Sequence, residues 1–249
     1  MGIFDIFKSK TKTNGVPLVP VGDKNTARLG RIVGDRMAQT YDRLDAIDAL
    51  AKLSSKDAVA ALLKRFTFYT DPSIADQQEK ESAYAAIIDV GENAIEPVVT
   101  FCEKAESLTW PLKILGELLE PEGFLDAVLD QMDARDTDYT RNVDPKVQLL
   151  AAVEGRTGER VRTVASRFLE DASEPVRFQA VATVFSLEDV AAVPALAALA
   201  IEEESVRVRN KICEGLKARG WTVDEDQRDA FNRSVGQNGF RLDATGRIA

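Results

Sequence analysis

Two stretches that start 32 residues apart, "VRFQAVATV" (Val176 to Val184) and "VRNKICEGL" (Val208 to Leu216), set apolar residues at the same steps after a Val-Arg pair. No other feature restricts the fold as much, because self-similarity at a spacing of a few tens of residues marks repeat architectures. Four further stretches carry related patterns: "DRLDAIDAL" (Asp42 to Leu50), "SAYAAIIDV" (Ser82 to Val90), "WPLKILGEL" (Trp110 to Leu118) and "VQLLAAVEG" (Val147 to Gly155). Their fifth residues are Ala46, Ala86, Ile114, Ala151, Ala180 and Ile212, so five steps cover 166 residues. A period of about 33 residues accommodates one helix pair.

A second pattern falls between the first ones. "DAVAALLKRF" (Asp57 to Phe66), "NAIEPVVTFC" (Asn93 to Cys102), "GFLDAVLDQM" (Gly123 to Met132), "ERVRTVASRFL" (Glu159 to Leu169) and "DVAAVPALAAL" (Asp189 to Leu199) repeat apolar residues at the spacing of one helical stripe. Each stripe needs a neighbour to cover it. Pro97 and Pro194 fall near the starts of two of these helices, where a missing backbone N–H costs little. Hydrophobic residues make up 45% of the chain and aromatic ones only 7%, which suits stacked helices rather than a sheet.

An acidic residue stands six positions before an Arg in "DASEPVR" (Asp171, Arg177) and in "EEESVRVR" (Glu203, Arg209). In this the chain resembles the HEAT-repeat family, particularly the bacterial HEAT-like repeats named after phycobilisome lyases. The resemblance is best over residues 155 to 220. It implies that Asp171, Arg177, Glu203 and Arg209 form a ladder between successive repeats. Upstream, Gln148, Pro111 and Ala83 occupy the Arg position, whereas Arg43 restores it. Stacked pairs of this kind predict an all-α, right-handed, armadillo-like α-solenoid of about six pairs, with the second helices lining a concave face.

The expected organisation is a basic N-terminal segment and linker over 1–25, the repeats over 26–222, and a capping helix and tail over 223–249. "ARDTDYTRNVD" (Ala134 to Asp144) reads as a protruding loop. Ile3, Phe4, Ile6 and Phe7, followed by Lys8, Lys10 and Lys12, make a short amphipathic stretch suited to docking on a protein and, more weakly, to membrane contact.

The formal net charge is −9, with seven Lys/Arg against three Asp in residues 1–36 and the acidic excess confined to the remainder. Such a body repels phosphate backbones and disfavours nucleic acid as a partner. Histidine is absent, which removes Ser-His, Cys-His and zinc-histidine sites. No phosphate-cradling glycine motif and no nucleophile elbow occur. Catalytic, cofactor and metal residues are therefore not assigned. Asp136, Asp138, Thr140 and Asn142 alternate like calcium-loop ligands but lack the central Gly and the closing acid, so they read as an ordinary polar loop. Asp42, Asp45 and Asp48, and Glu202 to Glu204, read as solvated acidic faces.

Cys102 and Cys213 read as small buried hydrophobes of a reducing compartment, and no apolar run is long enough to span a bilayer. The expected protein is thus a cytoplasmic, bacterial, non-enzymatic scaffold that needs no cofactor and binds a partner, with a basic segment, along a concave face. A bilin-lyase-like enzyme or accessory factor is the alternative. A HEAT-like DNA glycosylase fits less well, because the chain is acidic and has only Trp110 and Trp221.

Overall fold

The computed structural model describes residues 24–249, which form thirteen α-helices and a few 3₁₀ turns. The described residues divide into two compact units, one ending at Gln131 and one running from Met132 to Ala249.

The first unit contains α1 (Lys24–Val33), α2 (Thr40–Ala51), α3 (Lys56–Leu62), α4 (Ser73–Ile88), α5 (Ile95–Cys102), α6 (Thr109–Leu118) and most of α7 (Pro121–Asp133). Each of α1 to α5 packs on the helix that follows it or on the one after that. Thus α1 lies against both α2 and α3, α3 against α5, α2 against α4, and α4 against α6. Two layers result, one of odd-numbered and one of even-numbered helices. Gln131 of α7 reaches the odd layer, its amide donating to the Val99 carbonyl at 3.4 Å.

The second unit repeats the scheme with α8 (Asp144–Ala152), α9 (Glu159–Arg167), α10 (Glu174–Ser186), α11 (Val193–Glu202), α12 (Val206–Arg219) and α13 (Arg228–Val235). Here α8 packs on α10 and α10 on α12, while α11 packs on α13 and on the 3₁₀ turn Phe168–Glu170 that ends α9. Neighbour-on-neighbour packing of helix pairs is the arrangement of helical-repeat proteins in general.

Local chemistry explains the boundaries. Ser55 caps α3 by accepting from Ala58 N, and Ser205 caps α12 by accepting from Val208 N, each satisfying an otherwise free helical donor. Pro145, Pro175 and Pro194 sit in the first turns of α8, α10 and α11, where the proline ring suits the helix and no N–H is needed. The odd-numbered helices differ from simple expectation in one way. α3 and α9 finish, and α5 and α11 begin, in 3₁₀ turns.

The core runs between the layers: Ile47, Leu50, Leu62 and Ile87 in the first unit and Leu150, Phe168, Val181 and Ile212 in the second are almost wholly buried. Helices also approach closely where a side chain is missing. A Cβ on Gly215 of α12 would stand 2.3 Å from the Phe185 ring of α10, so only glycine lets that ring lie flat against the helix.

Beyond α12 the chain folds back on itself. Leu242 and Ile248 form an isolated antiparallel bridge, Val223 N donates to the Gly246 carbonyl at 2.9 Å, and Lys217 Nζ donates to the Ala249 carbonyl at 2.7 Å. The segment 134–143 lies outside the helices and is tied down by Ala172 N, which donates to Thr137 O at 2.8 Å.

Candidate functional site

The acid-to-Arg spacing that singled out Asp171, Arg177, Glu203 and Arg209 places all four near the starts of even-numbered helices. In the turn before α10, Asp171 Oδ1 accepts from Ser173 N at 2.8 Å, and before α12, Glu203 Oε1 accepts from Ser205 N at 2.8 Å. Arg177, in the first turn of α10, then works in two directions. Its Nη1 donates back to the carbonyls of Asp171 (2.8 Å) and Ala172 (3.2 Å), while Nε and Nη2 donate forward to the two oxygens of Glu203 at 2.7 and 2.8 Å. The guanidinium fork binds its own turn and the turn of the next even-numbered helix together.

Asp171 is not the ionic partner of Arg177. Its Oδ2 accepts from Lys146 of α8 at 2.8 Å, and Lys146 also donates to the Asp138 carbonyl in the turn before its own helix at 2.9 Å. Lys146 therefore does for α8 and α10 what Arg177 does for α10 and α12. Arg209 does no such work. Its Nε is buried without a hydrogen-bond partner.

The first unit holds the same device in an enlarged form. Arg43, again the fourth residue of its helix, donates back through Nη1 to the carbonyls of Asp35 (3.3 Å), Arg36 (3.5 Å) and Ala38, and forward through Nε and Nη2 to Glu79 of α4 at 2.7 and 2.9 Å. Arg65 joins from the 3₁₀ turn after α3. Its Nε donates to Glu79 Oε2 at 2.6 Å and its Nη2 to Asp76 Oδ1 at 2.7 Å. Lys80 donates to the other oxygen of Asp76 at 2.7 Å, and Thr70 N donates to Asp76 Oδ1 at 2.9 Å.

All five charged side chains are buried, with Arg65 and Glu79 at 0% exposure. Aromatic faces cover the cations: the Arg65 guanidinium lies 4.5 Å from the Phe68 ring centre and Lys80 Nζ 3.7 Å from that of Tyr69. Removing charges from water is costly, and mutual pairing with carbonyls and rings offsets that cost.

The carboxylates respond accordingly. Burial would raise Glu79, but hydrogen bonds from Arg43 and Arg65 outweigh it and hold the group below its ordinary range. Asp76 is likewise held low, burial being overcome by Lys80, Arg65 and the Thr70 N–H, and so is Glu203, through Arg177 and the Ser205 N–H. Such groups are committed to the charged state. They are not poised to exchange protons near neutrality.

Sequence reasoning missed this cluster. Glu79 lies within a helix rather than in the turn before it, and Lys146 stands two positions ahead of Gln148, which occupies the aligned Arg position. The usable signal was a run of charge, Asp76, Glu79 and Lys80, on the side of α4 that also carries the buried Ala83 and Ile87.

The remaining candidates distribute simply. The oxygens of the calcium-like stretch are spent locally: Asp136 Oδ1 accepts from Asp138 N, Asn142 Oδ1 accepts from Asp144 N, and the cation nearby is the Lys146 ammonium. Asp42, Asp45 and Asp48 are exposed on α2. Of the three glutamates before α12, Glu202 and Glu204 are exposed and Glu203 is buried. Trp110 stacks on Phe66 with ring centres 5.2 Å apart, and Trp221 lies 5.8 Å from Phe185. Both tryptophans pack against neighbouring helices. Ile3, Phe4, Ile6 and Phe7 lie outside the described residues.

Cys102 and Cys213 are buried and not joined in a disulfide, and burial pushes the Cys213 thiol up to about 12, which disfavours a nucleophilic thiolate there. Among the described residues no cluster of three or more acidic or cysteine side chains is arranged to hold a metal ion, and no helix is long and apolar enough to cross a membrane. No protein-family model matches the sequence, and no curated protein matches it.

Proposed function

We propose that this chain is a non-enzymatic scaffold, a right-handed solenoid of HEAT-like helix pairs that holds a protein partner with a basic segment. The layered packing of helix pairs in each unit supports the architecture, and the use of buried charge supports the absence of chemistry at those groups. The observation that carries the partner reading is the outer side of α2. Asp42, Asp45 and Asp48 are exposed there and make no ion pair with any described residue, whereas the buried carboxylates Glu79, Asp76, Asp171 and Glu203 are all engaged. Unspent carboxylates at helical spacing favour a partner bearing Lys or Arg and speed its encounter.

The test is affinity capture from native lysate with the full chain and with a variant carrying Asp42→Asn, Asp45→Asn and Asp48→Asn. The expected result is a stoichiometric partner recovered by the first and lost by the second, at unchanged melting temperature. Equal recovery by both removes α2 from the binding face, and recovery of no partner by either contradicts the scaffold reading.

A further inference from the structure

Large apolar side chains left in water are ordinary when scattered and informative when gathered. Among the described residues of the first unit, Met37 is 84% exposed, Tyr41 66%, Tyr69 75% and Ile74 81%. All four lie at one edge of the even-numbered layer. Met37 stands in the turn before α2 and Tyr69 in the loop before α4, while Tyr41 and Ile74 are the second residues of those two helices, which pack on each other. The turn and the loop meet on Arg43, whose guanidinium holds the Asp35, Arg36 and Ala38 carbonyls and lies 5.9 Å from the centre of the Phe68 ring.

The same positions in the second unit are filled differently. The second residues of α10 and α12 are Pro175 and Arg207, and Arg207 is spent on Glu174 and on the Phe178 ring. Exposed apolar character at this edge is therefore a property of α2 and α4, not of the repeat. The edge is also acidic. Over residues 34–42 and 68–74 the exposed acids are Asp35, Asp42 and Asp71, against one exposed base, Arg36. The carboxylates of Asp42 and Asp71 meet no described residue. A segment complementary to such an edge offers apolar side chains beside cations.

One stretch of this chain has that composition. Ile3, Phe4, Ile6 and Phe7 are followed by Lys8, Lys10 and Lys12, with Asp5 the one acid among residues 1–12. The stretch is also tethered within reach. Residues 8–23 separate Phe7 from α1 and can extend to about 50 Å, whereas α1 is about 15 Å long and its last residue, Val33, leads straight into the turn that carries Met37. Such a tether presents the stretch to the edge at an effective concentration on the order of millimolar.

We infer that residues 3–12 cover this edge in the same molecule, Ile3, Phe4, Ile6 and Phe7 seating on Met37, Tyr41, Tyr69 and Ile74, with the lysines directed to Asp42 and Asp71. Apolar contact supplies the area, and the exposed ion pairs supply orientation rather than strength. Asp45 and Asp48, about one and two turns farther along α2, remain for a partner, so the cover and the scaffold reading stand or fall separately.

Hydroxyl-radical footprinting of the full chain reads side-chain exposure directly. The paired variants are Phe4→Ser with Phe7→Ser and Tyr41→Ser with Ile74→Ser, circular dichroism is the control for folding, and Tyr139, 77% exposed in the second unit, is the internal reference. The expected result is that Met37, Tyr41 and Tyr69 label about threefold or more slower in the natural chain than in the first variant, as when the cover is in place in about two of every three molecules or more. Tyr139 labels alike in both. In the second variant, Phe4 and Phe7 label faster than in the natural chain. Equal labelling of Met37, Tyr41 and Tyr69 with and without Phe4 and Phe7 overturns the inference. Protection that fades as the protein is diluted assigns the cover to a second copy and overturns it too. Because the first variant leaves Asp42, Asp45 and Asp48 in place, partner capture by it reports separately on the scaffold reading.

Discussion

Replacing Glu79 by Gln keeps the shape of the side chain and removes its charge, at the point where two guanidinium groups converge. Arg43 donates to both Glu79 oxygens and Arg65 to one of them, and the three side chains are 2%, 0% and 0% exposed. The amide offers one acceptor oxygen in place of two and turns donors toward donors. Breaking a buried ionic group from one side costs about 3–5 kcal/mol, because the partner charges stay buried without compensation. That is a large share of the roughly 5–15 kcal/mol by which a domain is stable.

Urea unfolding followed by circular dichroism measures the loss, fitted with a separate transition for each compact unit where the curve shows two. The comparison variant is Glu96→Gln, since Glu96 and its partner Lys56 are 61% and 54% exposed and such pairs contribute about 0–1 kcal/mol. The reasoning predicts a loss of several kcal/mol for Glu79→Gln and almost none for Glu96→Gln. Equal effects, or a Glu79→Gln loss below about 1 kcal/mol, would show that the backbone carbonyls and the Phe68 ring alone suffice to hold the two arginines.

Two further outcomes follow from the same packing. Asp76, Glu79 and Glu203 have folded-state values below their unfolded ones, so their contribution is present above pH about 4 and is lost as pH falls through the folded values. Melting temperature should fall steeply on the acid side of pH 4, and the acid limb should be shallower in Glu79→Gln. Gly215→Ala should cost about 1–3 kcal/mol in the same unfolding assay, since the added methyl group meets the Phe185 ring at 2.3 Å; an unchanged midpoint would mean that the ring moves aside freely.

The helices were legible in the sequence because burial on one side imposes a 3.6-residue period that single residues cannot disguise. The turn acids Asp171 and Glu203 were legible for a related reason: an acid in a turn and an Arg on the first helical turn repeat at a fixed spacing. Which acid meets which cation was not legible. Spacing along the chain pairs Asp171 with Arg177, but the side chain of Arg177 is long enough to pass its own turn, touching only the Asp171 and Ala172 carbonyls there, and reach Glu203 of the next helix pair. Lys146 and Glu79 escaped alignment because a flexible ammonium and a mid-helix carboxylate can reach the same place in space from different positions in sequence. The helix α1 was not read as a helix either. Its buried stripe is Thr26, Leu29, Gly30 and Val33, which holds only two large apolar side chains, and Gly30, whose Cβ would come within 2.9 Å of Ala61, lets the neighbouring helix approach closely.

The central claim is that a cation near the start of one even-numbered helix fastens the next one. A double-mutant cycle on Arg177→Met and Glu203→Gln measures that coupling directly, because Arg177 is 19% exposed and Glu203 is wholly buried while their contact is bidentate. The account predicts a coupling of about 1–3 kcal/mol between the two substitutions. Additivity within about 0.5 kcal/mol would contradict it.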